Sequence, residues 1–530
     1  MDVTCNPFRM KKLLLITIWL GLLTRVYAEN QKDSIEIINI KSSINGGLYQ
    51  LYIRTPRNYE AEKEHPAILL LDANYYHRTF VNLYDSIVNS KNDDQVIIGI
   101  GYLPNPMNDT LFMRDFTPTL IDGFPNSGKA AEFKKILEEE LIPAIIENYN
   151  VDVSKLSIVG HHYSALFLTW LLTQESLKFS NYVICSPVLT FNEYLADFNT
   201  SATSTGVYLS LGSGKIRFVE NPEANKEKFN ELSEHLRNSH KSNSIKSSYF
   251  QSTLRYDDLH QGFSEGISFI QNNKKTKGTP YNYTTLNQDI IFQRSTILIE
   301  QVFDPHTSFS YEVSTYIPSN SLEGELPVIV ILDSDFNYTE LLHAYQQLMK
   351  EGIIPPSILV GIGYGTSIMK RGNYRNRDFL PNKIKNLESG NAENFAVFLN
   401  EQLIDHLSQY PIDKNNTTLQ AHSYGGLFLT YLLTRSSLAY QNLIISSPAI
   451  WQDKSVLKKL KSLNENISQK IFLASGQLND NDKSTKKLDK VLSNRTTNLR
   501  TVLYPNDSHI SVISSAFKDA LIYLNKEESR

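Results

Sequence analysis

Three observations predict a mostly parallel β-sheet between two layers of helices, built twice in one chain. Short apolar runs alternate with longer amphipathic stretches, the whole pattern recurs in the second half, and each half has a strand, sharp turn and buried helix at the same relative position. The chain has 530 residues, more than the roughly 250–300 at which a single core stops growing, so two domains are the natural division. Hydrophobic residues make up 41% and charged residues 20%, as in packed globular proteins. A formal charge of −4 gives no electrostatic reason to bind nucleic acid.

At the amino terminus, Lys11 and Lys12 precede an apolar run at 13–23, and Val-Tyr-Ala follows at 26–28. A run this short, ending in small residues, predicts a secretory signal over 1–28, with the mature chain starting at Glu29 and destined for secretion or the periplasm. An uncleaved anchor is the competing reading. No later stretch is long enough to span a membrane, so no membrane contact is expected after cleavage. Cys5 lies inside the signal, which leaves Cys185 alone in the mature chain and excludes an internal disulfide. Histidines lack metal-ligand spacing such as H-E-x-x-H, and neither a metal nor a cofactor is expected.

The first domain is placed at 29–271. Alternating residues at 48–53 predict an antiparallel strand leading into the sheet, and apolar runs at 67–71, 96–100, 156–159, 182–185 and 207–211 predict buried parallel strands. The stretch 130–147, with Phe133, Ile136, Leu137 and Leu141 on one stripe, predicts a crossover helix. Residues 272–288 are polar, contain Gly and Pro, and lack apolar periodicity, so they read as a linker. The second domain, 289–530, repeats the first: 326–333 matches 65–72, 358–364 matches 96–102, and Arg-Asp-Phe-x-Pro occurs at both 114–118 and 377–381.

The corner of the second domain carries the chemistry. Residues 418–434 place Ser423 between Ala421 and Gly425, one methyl away from the Gly-x-Ser-x-Gly nucleophile elbow. Such a serine needs a histidine base and an acid to orient it, in the chain order Ser, acid, His when the fold alternates strands and helices. His509 follows the last strand-like segment, 501–504, and is the predicted base, with His406 and His422 as competitors. The acid should follow 470–476; among Asn479, Asp480 and Asp482, Asp480 is chosen because a carboxylate must stabilise the imidazolium, with Asp482 close behind. An oxyanion hole asks for two backbone N–H groups, here Tyr424 and Ser334, with Asp335 the alternative to the latter. Arg371, Arg375 and Arg377 lie in a run on the same rim, where Arg371 and Arg375 offer donors to an anionic group of a small-molecule ester; the competing reading is a solvated loop with one structural pair.

The strand ending Ile-Leu-Asp333-Ser-Asp, the Arg-Asp-Phe-x-Pro381 stretch, Ala-His-Ser-Tyr-Gly-Gly426, Ser-Ser-Pro-Ala-Ile-Trp451 and Ser-His509 together resemble the putative-esterase family of α/β hydrolases, relatives of esterase D and of siderophore and feruloyl esterases. The resemblance covers about 290–525 and, more weakly, 33–270, and it implies two tandem α/β-hydrolase domains and a Ser-His-acid carboxylic-ester hydrolase. The chain departs from the family in having Ala421 where Gly is common, and Asn479 where the acid often falls.

In the first domain His162 stands in place of the serine, Ser164 and Ala165 in place of the glycines, and 212–217 has no carboxylate. His260 alone keeps its place. Loss of the nucleophile predicts an inactive domain that serves as a structural, dimerising or ligand-binding partner. His161, His162 and His260 on one rim offer a second reading, a metal site. The sequence therefore predicts a serine esterase active in its second domain, against two alternatives: a duplicated binding scaffold without turnover, and an acyltransferase using the same triad.

Overall fold

The computed structural model describes residues 34–526 apart from 90, 104–109, 175–178, 192–204, 214–220, 240–243, 252–256, 275–289, 319–323, 366–367 and 436–437. The predicted signal and nearly all of the predicted linker lie outside the described residues. In the first half the strands are β1 (Ser34–Lys41), β2 (Leu48–Arg54), β3 (His65–Leu71), β4 (Val96–Tyr102), β5 (Val151–His161), β6 (Asn181–Cys185), β7 (Gly206–Gly212) and β8 (Ile245–Phe250). Their counterparts in the second half are β9 (Ile291–Asp304), β10 (Phe309–Tyr316), β11 (Leu326–Leu332), β12 (Ile358–Gly363), β13 (Ile412–His422), β14 (Asn442–Ser446), β15 (Lys470–Leu478) and β16 (Leu499–Ser508).

Each half has the same strand order, 1-2-4-3-5-6-7-8 and 9-10-12-11-13-14-15-16, antiparallel at its start and parallel from the third position on. This is the α/β-hydrolase architecture the sequence predicts. Strands such as β3, β4 and β12 are buried along their length because helices cover both faces, which is why they read as continuous apolar runs. The crossover stretch 130–147 is helical, with a π-helical turn at Leu137–Leu141 between two α-helical pieces.

The two sheets are not separate. β1 pairs antiparallel with β9, placing Ile35 opposite Ile297 and Ile37 opposite Ser295, so the halves form one sheet of sixteen strands. Unpaired edges expose rows of N–H and C=O groups, and here each half satisfies the other's edge. Ile35, Ile37, Tyr52 and Ala73 of the first half share a buried cluster with Ile297, Ile299, Tyr316 and Ile329 of the second. Polar contacts also cross the seam: Asn39 Nδ2 donates to Gln293 Oε1 at 2.9 Å, and the Arg78 guanidinium pairs with Glu312. Among the described residues no helix is long and apolar enough to cross a membrane.

Candidate active site

Ser423 occupies the corner between β13 and the helix Tyr424–Leu432, at φ 61° and ψ −113°, a conformation costly for a residue with a side chain. The strain is held by the backbone: Ser423 N donates to Ser446 O, and Ser423 O accepts from Leu427 N and Ala449 N. His162 of the first half sits at φ 62° and ψ −113°, so the corner survives there without the serine. The small residues at the two corners are exchanged between partners. A Cβ on Gly425 would meet the Ala421 methyl at 2.8 Å, and a Cβ on Gly160 would meet the backbone of Ser164 at 2.8 Å. The helix needs one glycine at this crossing, on either side, which explains why Ala421 is tolerated.

The His509 and Asp480 loops meet because β15 and β16 stay paired beyond the rim of the sheet, as far as Leu478 and Ser508. His509 Nε2 lies 3.1 Å from Ser423 Oγ, and His509 Nδ1 lies 2.5 Å from Asp480 Oδ1. The Asp480 carboxylate is buried and also accepts from Ser447 Oγ at 2.5 Å, Gly476 N at 2.6 Å and Asn481 N at 2.6 Å. Burial opposes its ionisation, but the hydrogen bonds from His509, Ser447 and Asn481 hold its carboxyl below the ordinary value. The other candidates for these positions are engaged elsewhere. Asp482 pairs with Lys486 at the surface, and Asn479 is an exposed turn residue at φ 54°, in the left-handed region that asparagine tolerates. His422 donates to or accepts from Ser446 Oγ through Nδ1 and is pushed down to about 3 by burial, while His406 lies against Glu300.

Tyr424 and Ser334 each open a helix directly after a left-handed-φ residue, Ser423 and Asp333, at the ends of the adjacent parallel strands β13 and β11. The first N–H groups of a helix have no intrahelical acceptor, so both point outward from the rim. The arginine run falls on the helix Ile368–Phe379 and is not a loop. Arg375 gives its Nε and one terminal nitrogen to the two oxygens of Asp333, at 2.6 and 2.9 Å, and lies over the rings of Phe379 and Tyr424. It therefore braces the Asp333 corner with two of its five N–H donors. Arg377 is held by Asp378 and by Tyr311, and the side chain of Arg371 lies outside the described residues.

Four exposed apolar side chains border these groups: Phe336 next to Asp335, Trp451 with its ring 6.2 Å from that of Tyr424, Leu478 before the Asp480 turn, and Ile510 after His509. Their roles, like that of Ser447, were not assigned from the sequence; exposure of a large apolar residue becomes a signal only once its neighbours are known.

In the first half residues 214–220, which follow Gly212 and Ser213, lie outside the described residues, and a carboxylate reaches the acid position from elsewhere. Asp258, from the start of the helix Asp257–Asn272, accepts from Ser186 Oγ at 3.0 Å, and Ser186 and Gly212 correspond to Ser447 and Gly476. The metal reading finds no support among the described residues, where no group of three metal-ligating side chains forms; His161 contacts Tyr76 OH through Nδ1 and is pushed down to about 3 by burial. The equivalent of Arg375 is also missing. Asp72, which corresponds to Asp333, has one carboxylate oxygen without a partner, and burial raises its pKa from 3.8 to about 7. A folded pKa above the unfolded one means that stability fully present below pH 3.8 is lost as the pH rises to about 7. Asp72→Asn should therefore raise the denaturation midpoint at pH 8, by roughly 1–3 kcal/mol of unfolding free energy, and leave it unchanged near pH 4; paired melts at the two pH values check this.

A parallel-sheet hydrolase fold with a serine, a histidine and a buried carboxylate in line at the rim defines an esterase-type α/β hydrolase. The family described as "Putative esterase" matches twice, over residues 42–275 and 306–521, and the chain belongs to that family. It is similar to the ferri-bacillibactin esterase BesA of Bacillus subtilis (strain 168), with 32% identity over 225 residues, covering 37% of this chain and 77% of that protein. It is also similar to the apo-salmochelin esterase of Escherichia coli O6:H1 (strain CFT073), with 27% identity over 27% of this chain and 47% of that protein. Among solved structures it matches the BES protein from Bacillus cereus at 26% identity, with a TM-score of 0.39 and coverage of 44% of this chain and 95% of that one.

Proposed function

We propose that the second half is a serine carboxylic-ester hydrolase working through an acyl-enzyme, and that its substrates are siderophore esters. The observation that carries this reading is the line Ser423 Oγ, His509 Nε2, His509 Nδ1, Asp480 Oδ1, with spacings of 3.1 and 2.5 Å. Ser423 Oγ attacks the ester carbonyl as its proton passes to His509 Nε2. Asp480 accepts from His509 Nδ1–H, fixing the tautomer and stabilising the imidazolium. The Tyr424 and Ser334 N–H groups receive the developing oxyanion. His509 then protonates the leaving alcohol, and water, activated by the same imidazole, releases the acid. The first half, with His162 at the corner, has no hydroxyl to acylate and performs no turnover. We place the mature protein outside the cytoplasm, on the strength of the run at 13–28.

The siderophore assignment draws on the relatives' names, and the apolar border of Phe336, Trp451, Leu478 and Ile510 suits a ligand with large flat groups. The test is to incubate the mature chain with bacillibactin, salmochelin and a short-chain p-nitrophenyl ester, and to follow the products by chromatography. Cleavage of a siderophore with a kcat/KM well above that of the nitrophenyl ester is the expected result; cleavage of the nitrophenyl ester alone would keep the esterase and remove the siderophore.

A further inference from the structure

We infer that the first half has a working part in the second half's site: Asn82 and Arg78, on its helix Ala73–Ile87, are positioning residues for the oxyanion side of the Ser423 centre. The inference rests on the reading of Ser423 as nucleophile, and it assigns the serine-less half a role in catalysis.

The contacts form a short chain. Asn82 Nδ2 donates to Gly365 O at 2.8 Å, across the seam. Gly365 follows β12 at φ +56°, and a Cβ there would meet Glu312 Oε2 at 2.5 Å, so the turn is seated directly on that carboxylate. Glu312 is buried on β10, and its charge is matched by Arg78, whose Nε donates to Oε2 at 2.6 Å. From the other side the turn is held by Asp335, which accepts from Tyr364 N at 2.7 Å and Gly365 N at 3.1 Å. Asp335 adjoins Ser334, and a Cβ on Gly363 would come within 2.7 Å of Ser334 Oγ. The Ser334 N–H is thus fixed in part by a turn whose outer face is held by the other half.

The same region shows what a half can do alone. In the first half the corresponding turn is closed internally, with Asn74 bonding both Tyr102 N and Tyr102 O. In the second half Asp335, a carboxylate, can only accept, and it takes the Tyr364 and Gly365 N–H groups. The donor to the Gly365 carbonyl is Asn82, from the other half. A displacement of order 1 Å in a positioning group can cost as much as about a hundredfold in rate, and coupling through a packed network is commonly worth about 2- to 30-fold.

The experiment uses the full mature chain and three variants: Asn82→Ala, the charge-neutral pair Arg78→Met with Glu312→Gln, and Arg294→Ala. Arg294 bonds Asn148 and faces Glu36 across the same seam but does not touch the turn. For each, kcat and KM for a p-nitrophenyl ester are measured separately, together with the second-order rate of fluorophosphonate labelling, which also builds an oxyanion, and the melting temperature. For Asn82→Ala and the pair, kcat should fall about tenfold with KM within about twofold, and labelling should slow in step; Arg294→Ala should change neither. Unchanged kcat and labelling in Asn82→Ala overturns the inference even if the paired variant fails to fold. An equal loss in Arg294→Ala also overturns it, by showing a general effect of the seam. A wild-type chain that neither turns over nor labels sinks the Ser423 reading together with this one, whereas an active wild type with indifferent variants sinks this one alone.

Discussion

Replacing Ser423 by alanine is expected to abolish ester hydrolysis, by a factor of about a million when turnover is measured against the wild-type chain. Among the described residues His509 is committed to this serine: its Nε2 faces Ser423 Oγ, and its Nδ1 is taken by Asp480. The corner itself should survive the change. Alanine meets the same backbone strain at φ 61° as serine does, and the bonds that hold the corner are made by backbone atoms. Circular dichroism and melting should match the wild type, while a fluorophosphonate probe that labels the wild type at one serine should leave Ser423→Ala unlabelled. Residual hydrolysis above about one per cent would move the nucleophile elsewhere in the chain.

The second large effect belongs to Asp480. Asp480→Asn keeps the size of the side chain but turns an amide toward the imidazole, favouring the tautomer with the proton on the wrong nitrogen. A loss of about 10⁴ in kcat is expected, with KM little changed. The same substitution leaves Ser447 Oγ and Gly476 N with a weaker acceptor, so a modest fall in melting temperature should accompany it. Asp482→Asn and Asn479→Asp are the controls. Both side chains lie away from His509, and each variant should keep kcat within about twofold of wild type. Equal losses from Asp480→Asn and Asp482→Asn would reassign the acid.

These residues also show where sequence reading succeeds and where it stops. The buried strands were legible because β3, β4, β11 and β12 lie between helix layers and are apolar along nearly their whole length. Ser423 was legible because a tight strand-to-helix corner restricts its neighbours to small residues. The acid was not settled, because Asn479, Asp480 and Asp482 share a polar turn without periodicity, and only the left-handed backbone at Asn479 decides which side chain swings back over Gly476. Arg375 could be placed on the rim but not paired, since its partner Asp333 is 42 positions away. The joining of β1 to β9 was hidden for a related reason: β1 itself was not read as a strand, and alternation carries no record of a strand's partner.

That junction makes the chain a dimer in a single gene product, with its two protomers held at equal concentration and in fixed register by the chain itself. A subunit in such an arrangement is released from the need to keep its own chemistry, because every molecule carries the other copy. What it cannot give up is its share of the common sheet. The first half has the same corner, strand order and edge, with His162 at the serine position, Ser164 and Ala165 at the glycine positions and, among the described residues, no counterpart of Arg375 beside Asp72. The sheet therefore runs through both halves whether the corner carries a serine, as at 423, or a histidine, as at 162.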